Sequence, residues 1–150
     1  MLLKVDKWLL RTAAALLFMV GLLKITGSFT HVAYLADPDP VLSFLSNKLL
    51  LRMAGVVELI IAMVIVLSPR EWYARYSLLS LCSSFMVYRS GLLLLNVQSP
   101  CPCLGRASDW LHLTPRQADH LALLLLVVLL SIAITSIKIH TTVQDNLCAA

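Results

Sequence analysis

The sequence predicts an all-α integral membrane protein: a four-helix up-down transmembrane bundle made by one domain over residues 1–150. Three observations predict it. Of the 150 residues, 59% are hydrophobic and only 13% charged, with a mean hydropathy of +0.85; a water-soluble domain needs more polar surface than that. The apolar residues fall in continuous runs, not amphipathic stripes, and the runs approach the ~20 residues that cross ~30 Å of hydrocarbon. Polar breaks rich in proline and capping residues separate the runs. The formal charge of +4 suits a neighbour of anionic lipid and does not by itself indicate nucleic acid. No Gly-rich phosphate loop, paired zinc-type CxxC pattern or basic stripe with interleaved aromatics is present.

The first span is expected over residues 8–26. Lys4, Lys7 and Arg11 ahead of an apolar run have the look of a signal peptide. Lys24 interrupts the end of that run, however, and the nearest cleavage site, after Ala36, has Tyr34 where a small residue is wanted. A retained helix is therefore expected. A polar connection ends in Ala36-Asp37-Pro38-Asp39-Pro40, with Asp39 expected as N-cap and Pro40 at the first helical position. The second span covers 49–67. Ser68-Pro69-Arg70-Glu71 then reads as a stop and a capping box for the third helix, whose span is 76–96.

Next comes Pro100-Cys101-Pro102-Cys103-Leu104-Gly105, the one place where reactive side chains crowd together. Each proline lacks an N–H and pushes its predecessor toward extended geometry, so the segment stays out of a helix. Gly105 permits a turn that other residues resist. The piece around Trp110 is too short to span and is expected at the membrane interface. Thr114-Pro115-Arg116-Gln117 repeats the cap pattern and opens the fourth span, 118–139. The polar tail, 140–150, is expected to be loose.

Four spans put both termini on one side. Lys4, Lys7, Arg70, Arg75 and Lys138 flank that side, against Lys48, Arg106 and Arg116 on the other. The positive-inside rule then places both termini in the cytoplasm, with the cysteine loop outside, where disulfides persist. The expected location is the bacterial inner (cell) membrane.

Arg11, Lys24, Glu58 and Arg89 sit within hydrophobic segments, with Arg52 at the start of one. Charges at that depth are costly and face a bundle interior or polar cavity. Arg11 is expected to snorkel to the interface. Glu58 is mid-span and too short to do so, and is expected to pair with Lys24, Arg52 or Arg89, all in the half nearer the cysteine loop. A cationic cluster under a thiol pair favours thiolate, the nucleophilic form.

These residues resemble the methylamine utilisation protein MauE family, within a wider group of DoxX-like four-helix membrane proteins. The match is carried by Arg11 followed by Gly21-x-x-Lys24, by Gly55-Val56-Val57-Glu58-Leu59, and by Cys101-Pro102-Cys103-Leu104-Gly105. It covers residues 11–137; Leu104 stands where the family has an aromatic. The resemblance implies a four-helix bundle engaged in thiol–disulfide or electron transfer for maturing proteins outside the cytoplasm.

Residue by residue, Cys101 and Cys103 read first as a redox pair. A disulfide needs Cα atoms ~4.4–6.8 Å apart, and the tiny ring between residues two apart is strained. Strained disulfides are oxidising and labile. Two thiolates also suit Cu(I), with His31 or His112 on the same side, and an idle loop is the bland alternative. Cys82 is expected to pack as a small hydrophobe, Cys148 to lack a partner, His120 and His140 to be interfacial, and Trp8, Trp72 and Trp110 to anchor the interfaces.

The sequence thus points to thiol–disulfide exchange by Cys101 and Cys103, with Lys24, Arg52 and Arg89 stabilising thiolate and Glu58 as counter-charge or proton carrier. A membrane quinone or a thioredoxin-like partner would take the electrons. The alternatives are a non-catalytic assembly factor, a copper-binding protein, or a small carrier with buried charges lining its path.

Overall fold

The computed structural model describes residues 2–29, 35, 37–68, 71–95 and 114–148. Within them the chain forms α1 (Leu2–Gly27), α2 (Asn47–Leu67), α3 (Glu71–Leu94) and α4 (Pro115–Cys148). All four are long and apolar enough to cross a membrane. Each of α1 and α3 packs against both α2 and α4, so the helices close into a ring. Residues near the starts of α1 and α3 meet the latter part of α4 at one end of the bundle, and the end of α3 meets the start of α4 at the other. The chain therefore runs up and down, and the α1–α2 and α3–α4 connections share one end, called here the loop end. This is an integral membrane four-helix bundle.

The apolar residues pointing outward explain why the sequence shows runs and not stripes. Met53, Ile60, Val87, Leu94, Leu124 and Val127 are all exposed, where lipid and not water covers them. The buried seams follow heptad-like spacing instead. In α1 the seam is Asp6, Leu10, Ala13, Leu17, Gly21, Lys24; in α2 it is Leu51, Gly55, Glu58, Ala62, Ile65. Arg75 and Cys82 are buried seven apart on α3, and Leu126, Leu129, Ala133 and Ser136 form the seam of α4. Lipid is as apolar as leucine, so close packing and polar contacts hold such helices together, and small residues mark the contact. Cys82 lies in the core, as expected of a small hydrophobe.

The helix ends depart from expectation in two places. Asp39 does not cap α2. Its Oδ1 accepts from the backbone N–H groups of Val41 and Leu42 at 2.9 and 2.8 Å, closing a turn in the connection. Asp39 N–H then donates to the Leu45 carbonyl, and Asn47 N–H to that of Asp37. The α2 cap falls to Ser46, whose hydroxyl accepts from Leu49 N–H. An aspartate side chain competes for local backbone donors, and here the turn outbid the helix.

Ser68 ends α2 by donating its N–H to the Val64 carbonyl, 2.9 Å. Pro69 and Arg70 lie outside the described residues, so the capping box expected there does too. The second box forms: Thr114 Oγ1 accepts from Gln117 N–H and Gln117 Oε1 accepts from Thr114 N–H. Finally, the tail expected to be loose continues α4 to Cys148. It contains no proline or glycine to stop a helix, and the hydroxyls of Thr141 and Thr142 both donate to the Lys138 carbonyl.

Candidate functional site

The site is organised by a contact without side chains. A Cβ on Gly55 would lie 2.9 Å from the Gly21 carbonyl oxygen, and one on Gly21 would lie 3.0 Å from that of Gly55. Only glycine allows α1 and α2 so close. The same Gly55 Cβ would lie 3.2 Å from Lys24 Cβ. In a helix the Cα–Cβ bond tilts toward the N-terminus, so the Lys24 stem runs back over Gly55 toward Glu58, deeper in the bundle.

Lys24 and Glu58 form a hydrogen-bonded ion pair. They are 5% and 2% exposed, so both charges are withdrawn from lipid and water alike. The Lys24 ammonium also lies over the Phe85 ring, 4.5 Å from its centre. Glu58 Oε1 takes the lysine, whereas Oε2 is buried with no hydrogen-bond partner among the described residues. Glu58 lines a small cavity of about 60 Å³, shared with Lys24, Phe85, Tyr88 and Arg89. Its wall is mostly apolar, with these polar groups on one part of it, and its size gives room for a water or two. On another side Lys24, Phe85 and Tyr88 also border a larger, mostly apolar cavity of about 350 Å³ between α2 and α3.

Toward the loop end the remaining charges find polar partners, and one pair is ionic. Arg89 pairs with the Asp119 carboxylate and donates to the Asp119 carbonyl at 3.0 Å, tying α3 to α4. Tyr88 donates to Asp39 Oδ2 at 2.6 Å, tying α3 to the α1–α2 connection. Arg52 donates to Ser28 Oγ at 3.0 Å and stacks over Phe29 at 4.7 Å; among the described residues it meets no carboxylate. Of the three cations offered to Glu58, Lys24 takes it, and the other two find partners nearer the loops. Arg11 is exposed on the outside of α1.

Cys101, Cys103, His31 and His112 lie outside the described residues, as does Trp110. The distances between the thiol pair and the cations are therefore not part of this geometry. Among the described residues no group of three or more His, Cys, Asp and Glu is placed to hold a metal.

At the opposite end lies a cluster that does not stand out in the sequence. Arg75 pairs with Asp6 and donates from Nε to Ser136 Oγ at 3.0 Å; the Ser136 hydroxyl in turn donates to Asp6 Oδ1. Asp6 is 0% and Arg75 2% exposed. By sequence Arg75 counts as a flanking charge and Asp6 carries no weight. The seam spacing was the available signal, since Asp6 falls four residues before Leu10 on the face that leads to Lys24.

The family model described as methylamine utilisation protein MauE matches residues 4–137, which include every residue of the clusters above. No curated protein and no solved structure matches the chain.

Proposed function

Because the chain belongs to the MauE family, we propose that this integral membrane protein performs thiol–disulfide or electron transfer with Cys101 and Cys103, in support of maturing proteins outside the cytoplasm. The family's description names methylamine utilisation, and we take the maturing protein to belong to that process. The observation that carries the proposal is the gathering of ionisable groups below the loop end. Lys24, Glu58, Arg52, Arg89 and Asp119 lie in the part of the bundle from which the α3–α4 connection, the bearer of both cysteines, departs. Buried charges in a membrane protein are expensive to keep and mark function.

One cysteine attacks a client disulfide or is attacked by a client thiol, a mixed disulfide forms, and the other cysteine resolves it. Arg52, which meets no carboxylate among the described residues, supplies positive potential toward thiolate. Arg89 contributes while held by Asp119. Lys24 and Glu58 handle protons, with the open Oε2 of Glu58 as the acceptor. Both termini lie in the cytoplasm of a bacterial inner membrane and the cysteine loop outside it.

The test is the redox state of Cys101 and Cys103 in purified protein, read by mass-shift thiol labelling before and after reduction. A pair that oxidises and reduces reversibly supports the reading. A pair that stays as free thiols under oxidants that form disulfides elsewhere overturns it.

A further inference from the structure

The cavity between α2 and α3 has a mouth and a floor of different character. Met53 and Val57 on α2 and Ser80 and Ser84 on α3 are exposed at its edge. All four lie inside the membrane-spanning stretches Asn47–Leu67 and Trp72–Leu94, so the mouth opens on hydrocarbon. Leu51 and Leu81 form a buried apolar wall, and Lys24 and Tyr88 bring polarity to the interior. At about 350 Å³ the space lies within the range of small-molecule sites.

The hydrogen-bonding capacity is unspent. Lys24 has three N–H donors, and its one hydrogen bond among the described residues goes to Glu58. The Tyr88 hydroxyl gives its proton to Asp39, and among the described residues no group donates to its oxygen. Glu58, which lines the smaller cavity beyond Lys24, holds a second acceptor, Oε2, with no hydrogen-bond partner among the described residues. A ligand arriving from hydrocarbon must be neutral, yet these groups ask for a carbonyl acceptor and a hydroxyl donor. A phospholipid cannot bring its charged head to this depth, and an acyl tail offers neither group. A lipid-soluble quinone offers the first when oxidised, the second when reduced, and a flat ring beside Phe85 in both states.

We propose that the α2–α3 cavity binds the headgroup of a membrane quinone, with Lys24 donating to a quinone carbonyl and Tyr88 accepting from the quinol hydroxyl. This deepens the redox reading above and rests on it only for its purpose. Two thiols closing to one disulfide release two electrons and two protons, which convert one quinone to one quinol. Binding itself requires no cysteine.

The experiment uses the full chain in phosphatidylcholine vesicles with an azido-benzoquinone carrying a decyl tail, photolysed and mapped by mass spectrometry. Label is expected within 51–61 and 80–88, and the unlabelled decyl-benzoquinone should compete it away. Ser84→Trp, a lipid-facing change that leaves the Lys24–Glu58 pair intact, should fill the mouth and cut labelling roughly tenfold. Lys24→Met should cut it by a similar factor through loss of a charged donor. Label scattered over lipid-facing positions, label that resists competition, no label above the lipid background, or label unchanged by Ser84→Trp each overturns the site. The thiol reading fails separately: if the parent binds the quinone at the cavity but an added dithiol never reduces it, the site stands and the redox role does not. Reduction that survives loss of cavity labelling has the opposite meaning.

Discussion

Lys24 reaches Glu58 across the bare backbone of Gly55. The stem of the lysine occupies the space a side chain at Gly55 would need, and Gly21 accepts the same close approach from the other helix. The buried ion pair and the α1–α2 contact are thus one feature: the glycines set the helix separation, and that separation lets a lysine anchored nearer the loop end meet a mid-span carboxylate. Phe85 on α3 closes over the ammonium, which carries the feature to a third helix.

The contact predicts that Gly55→Ala is costly although alanine is the better helix former. Its Cβ would meet the Gly21 carbonyl, which is backbone and cannot swing aside. Overpacking of this kind costs about 1–3 kcal/mol. Gly91→Ala is the control, because its new Cβ meets only the end of the Val41 side chain at 3.2 Å, which can rotate. Thermal unfolding in detergent should show a clear loss for Gly55→Ala and a change within about 0.5 kcal/mol for Gly91→Ala. Equal stability of the two would mean that α1 and α2 separate without penalty.

Glu58→Leu should disturb the bundle more than Glu71→Leu. The first leaves Lys24 buried without its carboxylate, and breaking a buried pair costs on the order of 3–5 kcal/mol in soluble proteins. Glu71 opens α3 and its loss should cost about 1 kcal/mol, the scale of a helix cap. The double change Lys24→Met with Glu58→Leu should recover much of the loss, since apolar pairs often replace buried ion pairs well. If the double change is as damaged as the sum of the singles, the two residues are not acting as a pair.

At the far end, Asp6→Asn should destabilise the junction of α1, α3 and α4, because it removes the Asp6 charge from the buried Arg75. Ser136→Ala should cost less, about 1–3 kcal/mol, as it removes one hydrogen-bonding partner from each neighbour. Lys4→Gln, on an exposed side chain, should change little. Limited proteolysis near the N-terminus offers a second readout: faster cleavage in Asp6→Asn than in Lys4→Gln is expected, and equal rates would show that the cluster does not hold α1 in place.

The number of helices and their up-down order were legible because apolar run length and proline-marked breaks report directly on a bilayer. Glu58 was legible as a buried partner-seeker because a short carboxylate at mid-span has nowhere else to go. The choice of Lys24 over Arg52 and Arg89 was not, since it depends on the Gly21–Gly55 approach, and glycine in an apolar run gives no helix separation by itself. Asp6 and Arg75 were hidden for another reason. Near the ends of a span a charge is ordinarily solvated, and only the seam spacing from Leu10 to Lys24 reveals that Asp6 faces inward. Asp39 misled because an aspartate before a proline fits a helix cap and a turn equally well, and the bond to Tyr88 that accompanies the turn is tertiary.

Orientation follows from accessible thiols. A membrane-impermeant maleimide applied to intact cells after reduction should label Cys101 or Cys103 and spare Cys148. Cys82 serves as an internal blank, because it is packed in the core. Label on Cys148 without label on the loop would invert the topology and place the thiol pair in the cytoplasm, where disulfides do not persist.

The cysteine pair itself gives the sharpest separation of mechanisms. In disulfide exchange one cysteine meets the client and the other releases it, so Ser in place of the resolving cysteine should trap a mixed disulfide, seen as a heavier band that collapses on reduction. Ser in place of the attacking cysteine should trap nothing. A copper site predicts instead that Cys101→Ser and Cys103→Ser both lower bound copper and trap no partner, and an assembly factor that merely tethers a client predicts no turnover of a dithiol substrate. The Arg89–Asp119 pair adds a signed test. Arg89→Gln leaves the Asp119 charge unopposed, which disfavours thiolate and should slow alkylation of the reactive thiol near neutral pH; Asp119→Asn frees the Arg89 charge and should speed it. Opposite signs in the two variants would tie the loop-end electrostatics to the thiol. If the single serine variants trap no client and bind no less copper than the parent, and the remaining thiol alkylates at the parent rate in both Arg89→Gln and Asp119→Asn, the cysteines take no part in the chemistry, and the buried charges must serve the bundle or the cavity alone.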